Sequence, residues 1–393
     1  MKRLYWRPQK ASKHGLMAVA MLSLVGLAWV FHAPLAPDDA QQLRKWTAAR
    51  QAAAMFASVK DERVRRGLPI ESGFDPAETG LVGNAMSLVT SRPSDLRSKQ
   101  TSINPNFAAA IVDMLSDAGV QPGDTVAIGW TGSFPAFNIC VGAALDSLEV
   151  RPLIIASATA SQYGANQPEW MWLDMERHLH DKGLMSGRSS ATTIGGGADR
   201  GLGMSAEAIE HVRQVASRNG VPLLPAARRA EAVAERLAHY RQLAAGRPIK
   251  AYINVGGGVA STGGEQGKHL FRAGLNSPES VAAEIDCVMA QFAREGVPVI
   301  HLNQAKELAA SLGFPVAPTR LPAVGEGHPF NAQQPNRWLA SFVLVAVLAS
   351  MRLCVWNGHW QPALRSVVAR FQVHPRIRLH RIDECVQEPQ LMV

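Results

Sequence analysis

The stretch Ile249-Lys-Ala-Tyr-Ile-Asn-Val255, running into Gly256-Gly-Gly-Val-Ala-Ser-Thr-Gly-Gly264, reads as a buried strand that empties into a long glycine-rich loop. Its first part is mostly β-formers, and its second part has the composition of irregular backbone. Such loops bring main-chain N–H groups close to a ligand, because no Cβ keeps it away. The same strand-then-small-residue pattern recurs upstream. Thr125 to Trp130 is followed by Thr131-Gly-Ser-Phe-Pro135, and Pro152 to Ala156 by Ser157-Ala-Thr-Ala-Ser161 with Tyr163-Gly164. Ala191 to Ile194 is followed by Gly195-Gly-Gly197 and Asp199.

Helical patterns separate these strands. Apolar residues at Phe107, Ile111, Met114, Leu115 and Ala118 share a helix face, and further helices are expected at 136–148, 169–182, 205–219, 226–245, 278–296 and 303–312. Short strands are expected at 222–224 and 297–302. Alternation of this kind over about 200 residues predicts an α/β fold, with a mainly parallel sheet carrying helices on both faces in Rossmann-like layers. Ligands of open parallel sheets bind beyond the carboxyl ends of the strands. Four loops there rich in hydroxyls and glycine favour an anionic or multiply hydroxylated ligand.

Outside this core the chain carries two apolar runs, Gly15 to Phe31 and Trp338 to Trp356. A formal charge of +8 is confined to the ends: Met1 to Pro37 holds five Lys/Arg and no acid, and Arg337 to Val393 holds seven Arg and three acids. The remaining middle has 28 basic and 29 acidic residues, which argues against a nucleic-acid footprint. Basic flanks beside apolar runs predict transmembrane helices at 15–31 and 338–356, both termini cytoplasmic, at the inner membrane. On that reading 1–14 is a basic flank, 38–100 a stalk and loop region, and 101–330 an extracytoplasmic α/β domain, divisible near 190. An arginine-rich tail fills 357–393. The alternatives are a signal peptide for the first run, a buried core helix for the second, and the domain's own first helix for 39–67.

Common catalytic fingerprints fail on inspection. Gly256-x-Gly258 is followed by Ser261 where a dinucleotide fold needs glycine or alanine, Thr262 and His269 break a phosphate-loop pattern, and Ser133 lacks a nucleophile-elbow setting. His269 and His301 are candidate acid–base groups, set against surface or core roles. Asp174 and Glu169 open one helix, and His178 and His180, two apart, make a poor metal pair. No metal site and no cofactor are expected. Cys140, Cys287, Cys354 and Cys385 have no metal-ligand spacing, and a Cys140–Cys287 disulfide stands as an alternative to buried thiols.

The runs Thr101-Ser-Ile-Asn-Pro-Asn-Phe-Ala-Ala-Ala110, Gly132-Ser-Phe-Pro-Ala136, Ser161-Gln-Tyr-Gly-Ala-Asn166, Trp172-Leu-Asp-Met-Glu176 and Ile253-Asn-Val-Gly-Gly-Gly258 together resemble the poly-γ-glutamate system proteins. The resemblance extends over roughly Ala77 to Leu344, taking in Gly313-Phe-Pro315 and Val324-Gly-Glu-Gly-His328, and it does not include the tail after Asn357. It implies a membrane-anchored accessory component of poly-γ-glutamate capsule or exopolymer synthesis and export, with the synthase and export proteins and the polyanion itself as partners. The ligand-binding set expected is Asn104, Asn106, Thr131, Ser133, Ser161, Tyr163, Gly256, Gly257, Gly258, Ser261 and Lys268. Lys250 and Arg272 are further cations near the central loop. An enzyme cutting or transferring the polymer through Ser133 or His269, and a non-catalytic scaffold, are the alternatives.

Overall fold

In the computed structural model, β1 (Thr125–Thr131) is buried at every position, as a strand covered on both faces must be. It pairs in parallel with β2 (Arg151–Ser157) from Thr125↔Arg151 to Thr131↔Ser157. Then come β3 (Asn166–Gln167) and β4 (Trp170–Met171), a small antiparallel ladder apart from the main sheet. The main sheet continues with β5 (Ala191–Thr193), β6 (Ile249–Val255), β7 (Gly274–Asn276) and β8 (Val299–Leu302). Its six strands run in the order β5-β2-β1-β6-β8-β7, all parallel except β7. The structure describes residues 13–32, 39–225, 228–264, 267, 270–280, 285–331 and 337–356. They belong to two units, Pro37–Ala332 and the terminal pieces Met1–Ala36 with Gln333–Val393.

Strand periodicity sends alternate side chains to opposite faces. Val126, Ile128 and Trp130 of β1, with Ala251, Ile253 and Val255 of β6, enter one core beneath the helices Phe107–Asp117, Pro135–Ser147 and Trp172–Asp181. Ala127, Leu153, Ile155 and Tyr252 enter a second core, closed by Arg229–Ala244 and Val288–Arg294. The mixed α/β fold with helices on both faces is thus as the sequence pattern implies. The helix Asp39–Arg65 buries Ala48, Ala52, Met55, Phe56 and Val59 in the first core, so it is a member of the domain and does not stand off as a stalk. Arg63, also buried, holds this helix to the following loop by donating to the Pro69, Gly80 and Val82 carbonyls.

Local departures have physical causes. The segment 222–224 makes a single bridge, Leu223 to Thr192, and no strand. The helix expected over 278–296 is a 3-10 turn, Pro278–Ser280, and a separate helix, Val288–Arg294. The antiparallel β7 was not expected: three residues are too few to show alternation. Cys140 and Cys287 are free, buried thiols in different cores, which removes the disulfide alternative.

The terminal unit requires a larger correction. Helices Lys13–His32 and Arg337–Trp356 form and pack against each other. Among the described residues, however, no helix is long and apolar enough to cross a membrane. A crossing takes about 20 apolar residues. The uncharged run Gly15 to Phe31 has 17, and Arg352 leaves 14 between itself and Arg337. The two flanking transmembrane helices are overturned by this finding, and with them the inner-membrane placement, the cytoplasmic termini and the extracytoplasmic domain. The basic flank 1–12 and the tail 357–393 lie outside the described residues.

Candidate functional site

The strand order reverses at β1: β2 and β5 lie to one side, β6 and β8 to the other. Such a switch point opens a crevice at the carboxyl ends of the strands. Register decides what faces it. Thr131 ends β1 beside Ser157 of β2, and Ser157 lies beside Thr193 of β5, so three hydroxyl residues stand in a row on one edge. Across from them β6 gives way to Gly256, whose φ of 87° is left-handed and whose N–H donates to the Leu302 carbonyl at 2.9 Å. A Cβ there would stand 2.4 Å from Thr131 Oγ1, so only glycine allows β1 and the loop to approach this closely.

A pocket of about 200 Å³ occupies the crevice, and all four small-residue loops contribute to it. Thr131 and Ser133 come from the first, Ser157, Thr159 and Ser161 from the second, Gly196 from the third, and Gly257 and Gly258 from the fourth. The segment 91–94 closes the remaining side and brings Arg92, while Asn303 follows β8. Among the described residues no carboxylate lines this space. The helix Pro135–Ser147 begins at its wall, where Ser133 and Phe134 lead into the first turn. First-turn N–H groups have no intrahelical acceptor, and the dipole there favours negative charge. Thr159 contributes a buried Oγ1 with no hydrogen-bond partner among the described residues.

Two buried cations support the walls from behind. Lys99, on the short helix Leu96–Ser102, is only 2% exposed. Its Nζ donates to the Ser133 carbonyl and to Ser161 Oγ (2.9 Å), and lies 3.7 Å from the centre of the Phe134 ring. Burial pushes the Lys99 ammonium well below the usual lysine range, against the opposing charge of Asp95. Arg236, on the helix Arg229–Ala244, donates from Nη2 to Ser157 Oγ at 2.8 Å and Thr193 Oγ1 at 2.7 Å. Together Lys99 and Arg236 hold the Ser133 carbonyl of the first loop and the Ser157, Ser161 and Thr193 hydroxyls of the second and third strand ends.

Of the residues expected from sequence, Thr131, Ser133, Ser161, Gly257 and Gly258 meet in this pocket. Gly256 shapes it through its turn. Ser261 lies beneath, where its Oγ accepts from Tyr252 Oη at 3.2 Å; burial pushes that phenol up to about 12, with the Ser261 bond acting the other way. Tyr163 packs edge-on against Phe74 at 5.2 Å. Asn104 and Asn106 are fully buried away from the pocket; Asn106 Nδ2 donates to Asn104 Oδ1 and the Ala323 carbonyl, and its Oδ1 accepts from Gly325 N–H. These asparagines fasten the 323–325 segment. Lys268 and His269 lie outside the described residues, and Lys250 and Arg272 are exposed. His301 is buried against Asn254, with Nδ1 at 3.0 Å from Nδ2. Asp174 accepts from Met171 N–H, Arg218 and Asn219, which makes it a capping and pairing group. Among the described residues no three His, Cys, Asp or Glu side chains gather as a metal site.

Lys99 and Arg92 are the functional groups that pattern reading missed. Both lie in the stretch 68–100, which has no periodicity to place it; it meets the second loop through long-range contacts such as the bridge Thr90↔Ala160 and the Gln162 N–H donating to the Arg92 carbonyl at 3.0 Å. Compared with family models, curated proteins and solved structures, the chain matches none.

Proposed function

We propose that the strand-end pocket is a binding site for an anionic chain end bearing amide groups, and that the protein is an accessory component handling γ-linked polyglutamate or its terminus. The observation that carries the reading is the composition of the pocket: hydroxyls and a helix N-terminus around a space with Arg92 and, among the described residues, no carboxylate. A carboxylate is the simplest anion for such a setting, since backbone N–H groups and hydroxyls complement it without a metal. At about 200 Å³ the space is smaller than a typical drug-sized site, which suits one terminal unit of a polymer rather than a long segment. The resemblance of the quoted motifs to poly-γ-glutamate system proteins supplies the polymer. A near-balanced charge over the middle of the chain fits local recognition rather than wrapping of a polyanion.

The test is equilibrium binding of short γ-linked oligoglutamate to the full chain, with α-linked oligoglutamate of equal length and charge as the comparison. Saturable binding that weakens with added salt and prefers the γ linkage supports the proposal. Equal, unsaturable uptake of both would show only diffuse electrostatic attraction and would remove it.

A further inference from the structure

Beneath the mouth of the pocket, three side chains form an arrangement that ligand binding alone does not use. Lys99 Nζ lies 2.9 Å from Ser161 Oγ, and the Ser161 N–H donates to Ser133 Oγ at 3.1 Å. Ser161 lines the pocket, so its hydroxyl has the buried amine on one side and ligand space on the other. Nucleophilic hydroxyls are recognised by this relation, a base within hydrogen-bond reach and an open approach for the electrophile. We propose that Ser161 is a nucleophile for acyl transfer and Lys99 its general base, so that the pocket cleaves or transfers an amide or ester carbonyl of a bound acyl compound. This rests on the reading of the pocket as a ligand site, but not on the ligand being polyglutamate.

The chemistry balances with water as the second reactant. Ser161 Oγ attacks the carbonyl carbon as its proton passes to the neutral Lys99 amine, forming the C–O bond and a tetrahedral oxyanion. Collapse breaks the bond to the leaving amine or alcohol, which takes the proton back from the Lys99 ammonium. Water then attacks the Ser161 ester, again giving its proton to Lys99. The carboxylic acid departs as Ser161 recovers the proton. The oxyanion forms on the side of the pocket where the helix Pro135–Ser147 begins, and the helix dipole there favours negative charge.

A lysine can act as base only when neutral, and burial of Lys99 favours that state. The charged groups facing it are few. Asp95, which caps the helix Leu96–Ser102, is itself paired with Lys306 from the helix Ala305–Ser311 at 2.9 Å. Arg92 lines the same pocket. The Phe134 ring and the Ser133 carbonyl oppose neutralisation, but neither brings a formal charge.

The experiment is labelling of the folded full chain with a fluorophosphonate, located by peptide mass mapping. The expected result is a single adduct on Ser161, absent from Ser161→Ala and formed at least roughly 100-fold more slowly in Lys99→Met. Its rate should rise with pH through a midpoint below the ordinary lysine value. No adduct on the folded wild type, an adduct on Ser133 instead, or an unchanged rate in Lys99→Met overturns the proposal. Should Lys99→Met fail to fold, Ser161→Cys provides a second reading. Its introduced thiol should react with iodoacetamide at neutral pH at least tenfold faster than a simple alkyl thiol, and an equal or slower rate overturns the base role. Labelling of Ser161 together with a failure to bind oligoglutamate would reject the polymer while leaving the nucleophile in place.

Discussion

Arg236 donates from Nε to Asp199 Oδ2 at 2.9 Å, and the two side chains are 2% and 1% exposed. The pair lies directly behind the pocket wall, since Asp199 also accepts from Thr193 Oγ1 at 2.9 Å and Arg236 donates to Ser157. Removing one partner strands the other charge out of water. Arg236→Met is expected to cost about 3–5 kcal/mol in denaturant unfolding. At temperatures where the variant remains folded, it should also weaken ligand binding, because Ser157 loses the donor that fixes it.

Two glycines of the fourth loop, Gly256 and Gly258, should respond differently to alanine. Gly256→Ala places a Cβ against Thr131 Oγ1 in a left-handed conformation, at an expected cost of about 1–3 kcal/mol. Gly258 has a φ of −55°, and a Cβ there meets nothing nearer than 3.5 Å. Gly258→Ala should therefore leave the melting temperature almost unchanged, and the pair of melts checks the assigned backbone directly.

Glu176 gives the domain a pH signature. Its Oε1 accepts from both Ser189 N–H and Ser189 Oγ at 2.8 Å, while Ser189 Oγ also accepts from Trp130 Nε1 at 3.0 Å. Burial pushes this carboxyl from 4.5 up to about 7, with the Ser189 hydrogen bonds and Arg188 pulling the other way. The folded state therefore retains a proton between pH 4.5 and 7 that the unfolded chain has released. Stability from this group is full below pH 4.5 and is lost as pH rises to about 7. Glu176→Gln should exceed wild type in stability at pH 8, by at most about 3 kcal/mol, with the advantage gone at pH 4. Denaturant midpoints at the two pH values measure it.

Thiol chemistry offers a further check on burial. Desolvation pushes both the Cys140 and the Cys287 thiols upward, and neither side chain reaches water. Iodoacetamide should leave both unmodified in the native chain and label both in denaturant, as mass mapping would show. Labelling of either in the native state would contradict its place in the core.

Much of the sheet was legible because its strands are runs of β-formers ended by glycine or small polar loops. Parallel order then forced those loops to one edge, so Thr131, Ser133, Ser161 and Gly257 could be grouped without knowing any distance. What escaped was whatever depended on chain returning from elsewhere. Lys99 looked like one charge among many in an aperiodic stretch, and only its burial against Ser161 gives it a chemical role. Asn104 and Asn106 carried the opposite error, since small polar residues before a helix read as ligand groups yet bind the 323–325 backbone. The apolar end runs were misread for a different reason: hydropathy reports that a segment avoids water, and it does not report whether the uninterrupted apolar length reaches that of a membrane crossing.

Gly258→Phe would fill the space between the first and fourth loops without backbone strain. Calorimetric titration of γ-linked oligoglutamate into the full chain and into Gly258→Phe is therefore the most direct test of whether the converging loops form one ligand site. Saturable binding by wild type, lost in a variant of unchanged melting temperature, is the predicted result. Equal binding by both chains, or no saturable binding by either, would contradict it.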